Sequence, residues 1–80
     1  MANIKVLLPQ WGMGMSEGKI VKWLKAVGDT VAEDEPLAEI EAEKTTETLE
    51  SPAAGVLTEI LFDAESTVEV RTPIATIKIS

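Results

Sequence analysis

The chain has 80 residues, 45% of them hydrophobic, which supplies one small core and leaves no room for a second. It lacks cysteine and histidine, which excludes a disulfide framework, thiolate or imidazole metal ligation, and Ser/His or Cys/His nucleophilic pairs. Fourteen acidic against seven basic residues leave a net charge of −7, so nucleic acid and anionic membranes are not expected partners.

Taken in chain order, the first apolar run, residues 4–8, is too short for a signal-peptide core or a membrane span, and the chain reads as cytoplasmic. Gly12-Met13-Gly14 has the look of a nucleotide loop but lacks its third glycine, with Glu17 in that place, and no helix pattern follows. This stretch is expected to be a loop, with Trp11 and Met13 as a candidate partner-docking patch and Met15 packed into the core. Residues 19–24, 36–41, 56–61 and 74–79 are short, often alternating and bounded by turn residues, which predicts strands. The turns contain Gly28-Asp29, residues 33–36, Ser51-Pro52 and residues 63–66. Trp23 is expected to be half-buried on its strand.

Shifting the chain against itself by 37 residues aligns residues 18–42 with 55–79 without a gap. Seven pairs are identical: Gly18/Gly55, Leu24/Leu61, Thr30/Thr67, Val31/Val68, Pro36/Pro73, Ala38/Ala75 and Ile40/Ile77. Roughly two would be expected by chance. Two units are too few for a solenoid, so two matching halves related by a pseudo-twofold are expected to close on each other. Short strands at this spacing make an all-β sandwich or barrel of two sheets around one core.

The two halves are joined by residues 43–54, and Lys44 stands near the start of this connector. Ahead of it Ala38, Ile40 and Ala42 share one strand face, and Glu39, Glu41 and Glu43 the other. After it Thr45, Thr46 and the Thr48-Leu49 run read as another strand. Glu43-Lys44 is therefore predicted to be a hairpin tip, with a type I turn accommodating these residue types. There the ammonium group projects into solvent among Glu41, Glu43 and Glu47. From the residues alone an ordinary exposed lysine in a charged loop is the preferred reading. Catalysis by paired carboxylates on the Glu39, Glu41 and Glu43 face is not expected, because a flat sheet face offers no pocket to raise one pKa.

Four segments in order carry a family resemblance. Residues 8–18 (Leu-Pro-Gln-Trp-Gly-Met-Gly-Met-Ser-Glu-Gly) look like an opening loop and strand, and residues 27–31 and 36–41 look like core strands. Glu43-Lys44-Thr45, with Ser51-Pro52-Ala53-Ala54-Gly55 following, resembles an Asp-Lys-Ala turn and a Ser-Pro-x-x-Gly bend. The chain thus resembles the lipoyl/biotinyl-attachment family over essentially its whole length, and within it the lipoyl domains of dihydrolipoamide acyltransferases of 2-oxo acid and acetoin dehydrogenase complexes. That resemblance implies a flattened β-barrel, a barrel-sandwich hybrid of two four-stranded antiparallel sheets, formed by residues 1–80 as a single, monomeric domain. It implies a non-catalytic swinging-arm carrier with lipoate amide-linked to Lys44. Around the lysine, Glu41, Glu43, Thr45 and Glu47 would be the recognition residues.

The implied partners are a lipoate ligase or lipoyl/octanoyl transferase, a thiamine-diphosphate dehydrogenase, an acyltransferase core and dihydrolipoamide dehydrogenase. Biotinyl domains usually flank their lysine with methionines, where this chain has Glu43 and Thr45. Glu43, Thr45 and Thr48 depart from the commonest lipoyl pattern, which has Asp, Ala and a carboxylate there. The alternatives are a biotinyl carrier domain of a carboxylase and an unmodified interaction domain of the same fold. Because the last predicted strand ends at the last residues, excision from a longer acyltransferase chain is expected.

Overall fold

The computed structural model describes residues 2–79 and contains eight strands and no helix among them. These are β1 (Ala2–Leu7), β2 (Glu17–Trp23), β3 (Thr30–Val31), β4 (Pro36–Ala42), β5 (Thr45–Glu50), β6 (Gly55–Ile60), β7 (Thr67–Glu69) and β8 (Pro73–Ile79). They form two four-stranded antiparallel sheets, ordered β1-β8-β6-β3 and β5-β4-β2-β7. The sheets remain separate ladders, so the flattened barrel closes by packing across a shared core rather than by a continuous ring of strand pairing.

The expected pseudo-twofold is visible in the order itself. Replacing β1, β8, β6 and β3 by β5, β4, β2 and β7 turns one sheet into the other. Each half keeps its outer strands in one sheet and sends its short middle strand to the other: β3 pairs with β6, and β7 with β2. Neither half has a complete sheet without its partner, so the two halves form one core.

Backbone irregularities repeat with the same 37-residue offset. The β2–β4 ladder slips between Ile20 and Lys22, and the β6–β8 ladder between Leu57 and Glu59. A second bulge pair skips Leu37 in β4 and Ile74 in β8, so two successive residues turn inward there. Leu37 and Ala38 are both fully buried, as are Ile74 and Ala75. Left-handed residues also match, Gly28 (φ 99°) with Glu65 (φ 75°) and Asp34 (φ 69°) with Arg71 (φ 68°).

The repeated aliphatics are the core: Ile20/Leu57, Val31/Val68, Leu37/Ile74 and Ile40/Ile77 are all buried, joined by Val6, Leu8 and Met15. Each such side chain contributes about 1.5–3 kcal/mol by leaving water. Leu24 and Leu61 are the exception, an identical pair that stays partly exposed beyond the ends of β2 and β6. Their shared role is in the backbone, where Leu24 N–H donates to the Leu37 carbonyl (2.7 Å) and Leu61 N–H to that of Ile74 (2.9 Å). Trp23 is half-buried as expected, its indole N–H donating to the Phe62 carbonyl at 2.9 Å.

The repeat also reaches further than the 37-residue shift reveals. β1 and β5 occupy equivalent places at an offset of 43, since Val6 pairs with Ala75 as Leu49 pairs with Ala38. The Ala42↔Thr45 pair that closes the Glu43-Lys44 turn is therefore the counterpart of the Ala2↔Ile79 pair.

Candidate functional site

The β4–β5 hairpin is held from its base to its tip by ladder pairs running from Pro36↔Glu50 to Ala42↔Thr45, leaving two residues, Glu43 and Lys44, to reverse the chain. Its inner face is anchored by Ile40, Ala42 and Leu49, all buried, while Glu41, Glu43, Lys44, Thr45 and Thr46 face solvent. The alternation expected ahead of Lys44 is thus present, and it pins the tip in register.

The turn type differs from the sequence expectation. Glu43 has φ 54°, whereas a type I turn has negative φ at both central positions. The reason is the tight β-hairpin itself: a two-residue connection must match the right-handed twist of its strands, and that requires positive φ at the first central residue. Glutamate has no glycine-like freedom there, so the ladder holds it against its own preference, at about 1–2 kcal/mol. Thr45 supports the turn, its hydroxyl lying 3.3 Å from the Ala42 carbonyl oxygen and 3.2 Å from Glu47 Oε2.

A loop over residues 8–16 packs beside this tip. Leu8 N–H and Arg71 N–H tie its start to the β7–β8 connection, donating to the Thr72 and Leu8 carbonyls at 3.1 and 2.7 Å. Within the loop, Gln10 Nε2 donates to the Met13 carbonyl at 3.0 Å and Met15 N–H to that of Gly12 at 3.1 Å. Met15 is buried, as expected for a core anchor, and Trp11 is partly buried against the core. Met13 is fully exposed.

Two open depressions flank the tip. One, of about 170 Å³, is lined by Trp11, Gly12, Ala42, Glu43, Lys44, Thr45 and Glu47. The other, of about 290 Å³, lies between the loop and the sheet and includes Ser16, Lys19, Glu41 and Glu43. The recognition candidates from the sequence therefore divide: Thr45 and Glu47 share the Lys44 side, Glu41 lies on the other, and Glu43 borders both. Trp11 lies on the lysine side, while Met13 lines a separate surface with Gln10, Trp11 and Gly12. Gly12 and Ala42 join this lining without having been site candidates: in the sequence Gly12 stands out only as part of a loop, and Ala42 only as the last inward residue of the alternation.

Lys44 is exposed and enters no ion pair among the described residues. The two lysines that do are elsewhere. Lys19 lies 2.9 Å from Glu65, and hydrogen bonding and attraction to that carboxylate raise its pKa. Lys25 lies 2.9 Å from Glu35, which raises its pKa and lowers that of Glu35; the Ala32 N–H at 2.8 Å lowers Glu35 further. The lysine at the tip is thus presented as a single projecting amine on a stiff support.

Comparison with known proteins resolves which kind of support this is. The family model described as "Biotin-requiring enzyme", covering biotin and lipoyl attachment, matches residues 4–77. The chain belongs to the biotin/lipoyl-attachment family. It is 49% identical over 76 residues to the dihydrolipoyllysine-residue acetyltransferase component of the pyruvate dehydrogenase complex of Corynebacterium glutamicum, covering 95% of this chain and 11% of that protein. It is 45% identical over 75 residues to the mitochondrial dihydrolipoyllysine-residue succinyltransferase component of the 2-oxoglutarate dehydrogenase complex of Bos taurus, covering 94% and 16%. The chain therefore spans between about a tenth and a sixth of the length of these relatives. Among solved structures, the urea carboxylase of Kluyveromyces lactis has the same fold, with a TM-score of 0.82 and 24% identity over 98% of this chain and 6% of that one.

Proposed function

We propose that this attachment domain is a lipoyl carrier, non-catalytic in itself, whose Lys44 Nζ is joined by an amide bond to lipoate. The observation that carries the reading is the position of Lys44: an exposed amine, with no ion pair among the described residues, at the second residue of a two-residue turn closed by the Ala42↔Thr45 pair. The relatives named for dihydrolipoyllysine favour lipoate over biotin, and the residues flanking the lysine, Glu43 and Thr45, favour it too.

The residues present fit such a group. Attachment needs an amine that a ligase or transferase active site can surround, and Glu43, Lys44, Thr45 and Thr46 are all exposed. In the attachment step Nζ attacks the carbonyl of an activated lipoyl or octanoyl group, loses a proton, and the activating group departs; one positive charge disappears. Once attached, the lipoyl group supplies a dithiolane that takes up acyl groups and reducing equivalents. The chain's own part is to hold the anchor point in place, through the Ala42↔Thr45 pair and the buried Ala42 and Leu49. A tether of this kind raises the local concentration of its cargo into the mM range at any site within reach.

The partners would then be a lipoate ligase or lipoyl/octanoyl transferase for attachment. In a 2-oxo acid dehydrogenase complex they would be the thiamine-diphosphate dehydrogenase, the acyltransferase core and dihydrolipoamide dehydrogenase. Glu41, Glu43 and Glu47 offer those enzymes an acidic collar around the lysine. Parallel incubation of the purified domain with a lipoate ligase plus lipoate, and with a biotin ligase plus biotin, tests the cofactor. A lipoyl adduct forming much faster than a biotinyl one is expected. The reverse order would make this a biotin carrier.

A further inference from the structure

The fold builds the same strand connection twice, once with a surplus. Between β5 and β6 the chain passes from one sheet to the other in four residues, 51–54. In the equivalent connection between β1 and β2, the offset of the repeat changes from 43 to 37, so this loop holds six residues more than the fold requires. The surplus is not spent on the core alone. It sets the partly buried Trp11, with Gly12, against the tip of the β4–β5 hairpin, and together they line the depression that Lys44 itself borders.

We infer that this depression is a resting cleft for the arm carried on Lys44, with Trp11 as its apolar wall. The inference rests on the lipoyl reading above. Trp11, Gly12, Ala42 and Thr45 line it together with Lys44 itself, and Glu43 and Glu47 add carboxylates to the same lining. At about 170 Å³ the cleft takes the end of an apolar chain rather than a large ligand, which suits a dithiolane ring folding back over its own attachment point. Such docking is shallow by construction. With the arm at an effective concentration in the mM range, a contact of mM affinity is roughly half-occupied, enough to shelter the ring and weak enough to release it.

The two tryptophans make one experiment decisive without a mutation, because Trp23 lies on β2 with its N–H engaged by the Phe62 carbonyl. Proton–nitrogen NMR of the unmodified and the fully lipoylated domain, adduct completeness fixed by intact mass, should show the Trp11 indole resonance displaced and that of Trp23 unmoved. Nuclear Overhauser contacts should connect the Trp11 ring to arm protons. Trp11→Leu, which keeps an apolar side chain in the loop and is compared only after intact mass shows its lipoylation to be complete, should reduce the shift changes at Ala42 and Thr45. A complete adduct with Trp11 unmoved and no contact to the arm overturns the resting cleft and leaves the carrier reading standing. Failure of any adduct to form overturns both.

Discussion

Gly18 and Gly55 match across the repeat, and the structure gives both the same reason and different margins. A Cβ on Gly18 would lie 2.9 Å from Ile40 Cγ2, 3.1 Å from Met15 Cε and 3.4 Å from Leu8 Cδ2, all of them side-chain atoms. On Gly55 it would lie 2.8 Å from Ile77 Cγ2 and would also overlap the Lys78 carbonyl oxygen, which belongs to the paired β8 backbone. Ile40 and Ile77 are equally stiff about their β-branches and Met15 can move its terminal methyl, so the difference between the sites is the Lys78 backbone, which the ladder fixes. Overpacking costs about 1–3 kcal/mol, and losing a glycine returns about 0.4–1 kcal/mol through the unfolded chain. Gly18→Ala should therefore cost about 0.5–1.5 kcal/mol and Gly55→Ala about 2–2.5 kcal/mol. For a domain of this size these correspond to a fall in Tm of about 2–12 °C and about 8–20 °C respectively. Differential scanning calorimetry on the two single variants and the parent makes the comparison. Equal losses, or a larger loss at Gly18, would refute the argument that backbone rather than side-chain contact sets the margin.

Relief of the left-handed backbone at the tip should make Glu43→Asn more stable by about 0.5–1 kcal/mol, seen as a higher urea midpoint at unchanged slope; a lower midpoint contradicts the strain assigned to that turn. Trp23→Phe deletes the indole donor and leaves the Phe62 carbonyl without it, so a loss of about 1–3 kcal/mol is expected, and an unchanged midpoint would mean that water replaces the bond freely. The lowered pKa of Glu35 means that its pairing with Lys25 and the Ala32 N–H stabilises the fold above the ordinary carboxylate range. That contribution disappears as pH falls through the lowered value. Glu35→Gln should accordingly flatten part of the acid limb of a stability-against-pH curve; superimposable limbs would show that the pair contributes nothing.

Much of this architecture is legible in the residues because period-two patterning and the repeat report on burial directly. Ile20, Leu37, Ala38 and Ile40 and their partners 37 residues later all line the core, and the turn residues fall between strands. β3 and β7 are harder to read, since strands of two and three residues cannot display a period. Thr30-Val31 and Thr67-Val68 are evident as identities but not as strands. The β1–β5 equivalence escapes a single self-shift because the long loop changes the offset between β1 and β2, leaving Pro9/Pro52 as the visible identity at 43. The turn at Glu43-Lys44 is read correctly as a hairpin tip and incorrectly in its dihedrals: residue type argues for a type I turn, while strand twist, a tertiary constraint, imposes positive φ on a glutamate. The neighbourhood of Trp11 and Lys44 depends on how a loop folds over an adjacent hairpin, for which local sequence carries no periodic signal.

The amine of Lys44 decides whether this domain is a carrier. Co-expression with a lipoate ligase in the presence of lipoate, followed by intact-mass measurement and peptide mapping, should show a single lipoyl adduct on Lys44 in the parent chain and none in Lys44→Arg. An unmodified parent, or an adduct of equal yield on the Lys44→Arg chain, would contradict the assignment of this hairpin as the carrier site.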